Sequence, residues 1–211
     1  MTPLQKSYRT QAASIIKALE KRGMEGYYFD SSKEAVAEIL SLIPDGSSVS
    51  WGGSATLEET GMLGALQSSG FTCIDRGTAS TQEEKKELQR KAFCVDYYFM
   101  STNAITLDGE LVNIDGNGNR AAALICGPDH VIILAGMNKV AADTDAAVKK
   151  VHTDAAPPNA VRLNLNTPCS LTGVCGNCLS PDCICAHTVI TRFNRIKGRI
   201  KVFLIGETLG F

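Results

Sequence analysis

Long apolar runs are missing from this 211-residue chain. The longest, such as Val131–Gly136, fall short of the roughly 20 residues that a membrane helix needs. MTPLQKSYRTQ at the N-terminus contains no apolar stretch of signal-peptide type. An excess of charge is missing as well: 21 Lys and Arg stand against 22 Asp and Glu, for a net charge of −1 at pH 7. That balance excludes the basic footprint required for nucleic acid or an anionic membrane surface. These absences predict a soluble cytoplasmic protein without a membrane span, in a compartment where thiols stay reduced. No nucleophile and base stand at a recognisable spacing, so no catalytic residue is assigned.

The chain has an alternating rhythm. Leu4, Tyr8, Ala12, Ile15, Ile16 and Leu19 recur at helical spacing up to Gly23, and Gly26–Phe29 reads as a strand. Asp30-Ser31-Ser32 supplies an N-cap for a helix over 33–42, and Ser48–Trp51 is a buried strand. Helices over 57–66, 81–93 and 140–150 alternate with strands over 71–74, 95–101, 131–135 and 199–205. Asp108-Gly109 between two apolar arms predicts a hairpin. Ala155-Ala156-Pro157-Pro158 breaks the helical period. The reading is one α/β domain over 1–211, a sheet covered on two faces, with a cysteine-rich segment at 169–187 inserted near the C-terminus.

Three stretches suit a small anion. The strand ending at Trp51 runs into Gly52, Gly53, Ser54 and Thr56, where small residues and hydroxyls expose donors at a helix start. This stretch lacks the lysine of a P-loop and the third glycine of a dinucleotide fingerprint. The loop Asp115-Gly116-Asn117-Gly118-Asn119-Arg120 offers Asn117, Asn119 and the planar fork of Arg120. Lys139 follows a strand, at the carboxyl edge where open α/β sheets bind ligands. His130 and His152 have no partner at ligand spacing and read as surface or satisfied side chains.

The densest chemistry is CSLTGVCGNCLSPDCICAH, where five of the eight cysteines occupy 169–185 in the pattern C-x5-C-x2-C-x4-C-x-C. Five thiols cannot all pair among themselves, which argues against disulfides. Only one C-x2-C knuckle is present, whereas zinc ribbons use two. Four cysteines crowded into one loop suit a 4Fe-4S cluster, with zinc as the alternative. Cys73, Cys94 and Cys126 lie in apolar surroundings and read as core thiols.

Several blocks together resemble the LUD (lactate-utilisation) domain family: WGGSATLEETG at 51–61, STNAITLDGELVNIDGNGNR at 101–120, GPDHVIILAGMNKV at 127–140 and APPNAVRL at 156–163. The resemblance implies a three-layer α/β/α fold of the ribose-5-phosphate isomerase and CoA-transferase type. It also implies a role in oxidation of lactate or a related small organic acid beside iron-sulfur redox partner subunits. The C-terminal segment resembles a subgroup whose four ligand positions fall on Cys169, Cys175, Cys178 and Cys185; Cys183 departs from that pattern and is an alternative ligand. Two other readings stand beside this one. The first is a non-catalytic assembly or electron-transfer subunit. The second is an isomerase or transferase for a phosphorylated or acyl substrate. An oligomer is compatible with each reading.

Overall fold

The computed structural model describes residues 1–211. Thr2 opens the first helix, α1 (Pro3–Lys21), with a reciprocal capping box to Gln5 and Pro3 in the first turn, and Gly23 closes it at φ 71°. The buried stripe is Ala12, Ile15 and Leu19. The chain continues as β1 (Glu25–Phe29), α2 (Ser32–Ser41), β2 (Ser48–Trp51), α3 (Ala55–Glu59), α4 (Met62–Ser68), β3 (Thr72–Ile74), α5 (Gln82–Lys91) and β4 (Tyr97–Met100). A hairpin follows, β5 (Ala104–Thr106) and β6 (Leu111–Asp115), then α6 (Asn119–Ile125), β7 (His130–Gly136), β8 (Val140–Ala141) and α7 (Thr144–Lys150). The last elements are α8 (Ala156–Arg162), α9 (Pro168–Thr172), β9 (His187–Thr191) and β10 (Ile200–Ile205).

Six strands form a parallel sheet in the order β1-β10-β7-β4-β2-β3. Its central strands are apolar on both faces, as a sheet sandwiched between helices requires. Along β7, Val131, Ile133 and Ala135 pack with α1 and α6, while Ile132 and Leu134 pack with α2, α3 and α4. The fold is therefore three-layered, helices over a parallel sheet over helices, as expected. A second sheet, β8-β5-β6-β9, stands beside it and packs on Ala147 of α7. None of the helices is long and apolar enough to cross a membrane.

Local expectations differ from the structure at several places. The helix read over 140–150 begins only at Thr144, because Val140–Ala141 is the strand β8. The helix read over 57–66 is two helices, because Gly61 turns left-handed at φ 74° between α3 and α4. Helix continues where Pro157-Pro158 predicts a break. The segment Val151–Ala155 is a π-turn, and Pro157 and Pro158 fall in the first turn of α8, where a missing N–H costs little. Cys94 and Cys126 are exposed and are not core thiols, whereas Cys73 is partly buried and packs against the core as expected. Thr188–Thr191, to which the sequence reading assigns no strand, belongs to β9 because His187–Thr191 pairs antiparallel with β6.

Candidate functional site

Because the main sheet is parallel, the carboxyl ends of β2, β4, β7 and β10 open at one edge. An open cleft of about 1130 Å³ lies there. Gly53–Thr56 follow β2, Ser101–Asn103 follow β4, Lys139 follows β7 and Phe211 follows β10, and all of these line it. This is the edge at which open α/β sheets take ligands. The cleft carries five cationic side chains, Arg76, Lys85, Arg120, Lys139 and Arg162, against two carboxylates, Asp115 and Asp182. Its field favours an anion.

The side chains expected to bind an anion differ in what they have left to offer. Ser54 caps α3, its Oγ accepting the Leu57 N–H at 3.3 Å. Thr56, 1% exposed, donates to Leu209 O at 3.4 Å. Gly52 does not line the cleft; a Cβ there would lie 3.2 Å from the Tyr98 hydroxyl and 3.4 Å from the Arg120 side chain, so its value is close packing beneath that arginine. Asn117 is exposed at the rim. Asn119, with its amide oxygen turned toward Arg76, accepts from Nη1 at 3.0 Å.

Arg120 is the clearest departure. Nη1 donates to Ser101 O at 2.9 Å and Asn113 Oδ1 at 2.6 Å, and Nη2 donates to Asn103 Oδ1 at 2.7 Å and Ile114 O at 2.9 Å. Asp115 Oδ2 stands 3.9 Å from Nε. The fork that suggested a carboxylate clamp is spent on tying the β4 exit to the hairpin. Arg120 reaches the cleft as a fixed charge and not as a free set of donors.

Lys139 is 4% exposed, and its Nζ donates to the Phe211 main-chain oxygen at 2.6 Å. Burial, with the Arg120 and Lys150 charges nearby, pushes its ammonium down to about 8 against the opposing pull of Glu59. Arg76 and Arg162 also line the cleft and were not singled out from the sequence. Their only signal was position, Arg76 two residues beyond β3 and Arg162 ending α8.

The cysteine segment forms one wall of the same cleft. Cys178, Cys183 and Cys185 line it, together with Leu179 to Asp182. Thr167 caps α9 and Pro168 starts it, while Gly173 at φ 74° ends it. The loop returns along the hairpin: Asp115 pairs with His187, and a Cβ on Gly116 would lie 3.2 Å from Ile184 Cα.

All eight cysteines are free thiols. Burial and the thiols of Cys183, Cys175 and Cys169 push the Cys185 thiol up to about 12. Asn177 takes a left-handed φ of 48° inside the C-x2-C knuckle, an uncommon conformation for a residue with a side chain. No three His, Cys, Asp or Glu side chains converge closely enough to hold a metal ion as the loop stands. Polar groups lie against the sulfurs: Thr167 Oγ1 is 3.3 Å from Cys169 Sγ, and Cys185 N–H donates to Cys183 Sγ at 3.4 Å. His130, stacked on Tyr97 with Nδ1 3.2 Å from Gly198 O, is satisfied as expected. His152 is not a bystander, since its Nδ1 lies 3.4 Å from Cys175 Sγ.

The family model of the LUD domain matches residues 12–205. The chain belongs to the LUD domain family. A crystal structure of a DUF162 family protein from Deinococcus radiodurans is similar to this LUD domain at a TM-score of 0.55 and 11% identity, over 94% of this chain and 98% of that one. Ribose 5-phosphate isomerase from Plasmodium falciparum aligns at a TM-score of 0.32 and 15% identity, over 53% of this LUD domain and 52% of that chain. No curated protein gives a significant match.

Proposed function

We propose that this LUD domain acts in the oxidation of lactate or a related small organic acid, at a cleft whose wall holds a 4Fe-4S cluster on Cys169, Cys175, Cys178 and Cys185. The observation that carries the reading is that one cleft has both a cationic lining and three cysteines of the loop in its wall. A cluster supplies one-electron transfer when bound. The chain's own residues do the rest. Arg76 and Arg162 draw the carboxylate in, and the Lys139 ammonium, held by Phe211 O, is the buried cation that an acid would compete for. Cys183, beside Cys185, is the spare thiol.

Anaerobic purification followed by iron, sulfide and zinc analysis tests the metal. Stoichiometric iron with sulfide supports the cluster; zinc alone replaces it by a structural clamp. Turnover of lactate with an artificial electron acceptor by the isolated chain then supports an enzyme.

A second reading is favoured by a separate observation. Leu171, Val174 and Leu179 are 79%, 68% and 100% exposed around the cysteines. Three bare apolar side chains beside a redox loop suit a docking face for a partner subunit. On that reading the chain passes electrons within a complex, and it turns lactate over only when co-purifying iron-sulfur subunits are added.

A further inference from the structure

Lysine is seldom buried without an acidic partner, because an ammonium taken out of water loses much of its solvation. Lys139 lines the cleft yet is only 4% exposed, and no Asp or Glu side chain forms an ion pair with it. Its Nζ donates to Phe211 O at 2.6 Å. The charged groups around it are engaged elsewhere: Glu59 Oε2 accepts the Gly210 N–H at 2.6 Å, and Lys150 Nζ lies 2.7 Å from Asp154 Oδ2. Arg120 contributes a fixed positive charge whose donors are already spent. A Cβ on Gly210 would stand 2.5 Å from Thr56 Oγ1 and 3.5 Å from Lys139 Nζ, so glycine keeps that side of the nitrogen clear. Burial beside a second cation is the arrangement that makes a lysine amine nucleophilic, since both effects favour its uncharged form. They hold the ammonium down at about 8, which leaves free amine present near neutral pH. A neutral amine keeps one N–H on Phe211 O and still has its lone pair to give.

We propose that Lys139 is a covalent catalytic residue: its Nζ adds to the carbonyl carbon of a 2-oxo acid held in the cleft and forms an imine. The substrate class rests on the acid-oxidation reading above, because removal of two electrons and two protons from lactate leaves a 2-oxo acid. In the condensation the C–N bond forms and the C–O bond breaks. The carbonyl oxygen departs as water with both amine hydrogens, so the step balances without an oxidant or a reductant. Meanwhile the carboxylate stays in the field of Arg76 and Arg162, which line the same cleft. An imine draws electrons from the neighbouring carbon more readily than a ketone does, so covalent capture divides one difficult step into two easier ones.

The test incubates wild type and Lys139→Arg with pyruvate, adds borohydride to reduce any imine to a stable secondary amine, and reads intact mass and a peptide map. Wild type is expected to gain a single reduced pyruvate, saturably, on the peptide that contains Lys139. Lys139→Arg keeps a cation but has no amine that can condense, so its borohydride-dependent gain is lost. The wild-type peptide map decides the site even where the arginine variant fails to fold. No borohydride-dependent gain in folded wild type overturns the proposal, as does an adduct confined to Lys85, Lys150 or the N-terminus. Failure here is separable from failure of the oxidation reading: lactate turnover without trapping removes only the role of Lys139, whereas trapping on Lys139 without lactate turnover upholds that role and removes the oxidation.

Discussion

Asn103 Oδ1 accepts from two directions, from Arg120 Nη2 at 2.7 Å and from the Ile114 N–H at 3.0 Å. This bifurcated acceptor is where the main sheet's β4 exit, the hairpin and α6 are locked together. The other three Arg120 donations radiate from the same guanidinium.

Replacing Arg120 tests how much of the cleft edge depends on that lock. Arg120→Lys keeps a charge but has one ammonium where the fork served four acceptors. Three donors on one nitrogen cannot reproduce four donations from a planar fork, and each buried acceptor left without a partner costs about 1–3 kcal/mol. We expect a loss of roughly 3 kcal/mol in urea unfolding. An isostable Arg120→Lys variant would show that the network is redundant.

Asp96 gives the stability a defined response to acid. Its Oδ2 accepts both the Ser48 N–H and the Ser48 hydroxyl, each at 2.7 Å, and these bonds hold its carboxyl below the ordinary value of 3.8. A depressed folded-state value means that the unfolded chain binds the proton more readily. The contribution is fully present above about pH 4 and is lost as pH falls through the folded value. Asp96→Asn should be less stable than wild type at pH 7, with the gap closing in acid. Parallel denaturation curves at both pH values check it, and a gap independent of pH would refute the assignment.

The hairpin turn is tight enough to predict a cost. Gly109 has φ 79°, and a Cβ there would lie 2.9 Å from the Leu19 main-chain nitrogen of α1. Gly109→Ala adds left-handed strain of about 1–2 kcal/mol to a backbone clash that nothing flexible can relieve. A loss of about 2 kcal/mol or more in chemical denaturation is expected; an unchanged midpoint would mean that the hairpin shifts freely over α1.

Single cysteine variants separate ligands from the spare thiol. Serine at Cys169, Cys175, Cys178 or Cys185 is expected to abolish stoichiometric iron, while Cys183→Ser retains it. Iron and sulfide content per chain is the readout. Iron loss in Cys183→Ser with retention in Cys185→Ser would exchange the roles of those two.

Much of the architecture was legible because it depends on local chemistry. The helical spacing of Leu4 to Leu19 and the stop at Gly23 mark α1, Asp108-Gly109 makes the hairpin, and the apolar runs of β7 and β10 mark strands covered on both faces. The cysteine spacing and the glycine loop after β2 marked two stretches with chemistry. Less legible were Pro157-Pro158, where a π-turn shifts the prolines into a fresh first turn, and Cys94 and Cys126, which are exposed although their sequence neighbours are apolar.

By itself, then, the sequence determined the alternation of helix and strand and a sheet covered on two faces, since period, caps and turn residues act over a few positions, and the resemblance of its blocks to the LUD domain implied the three-layered plan. Only the tertiary structure decided that the cysteine loop and the carboxyl edge of the sheet share one cleft, that the Arg120 donors are already spent, and that His152 meets Cys175. Those are contacts between residues distant in the chain, and a side chain's free donors are known only once its neighbours are in place.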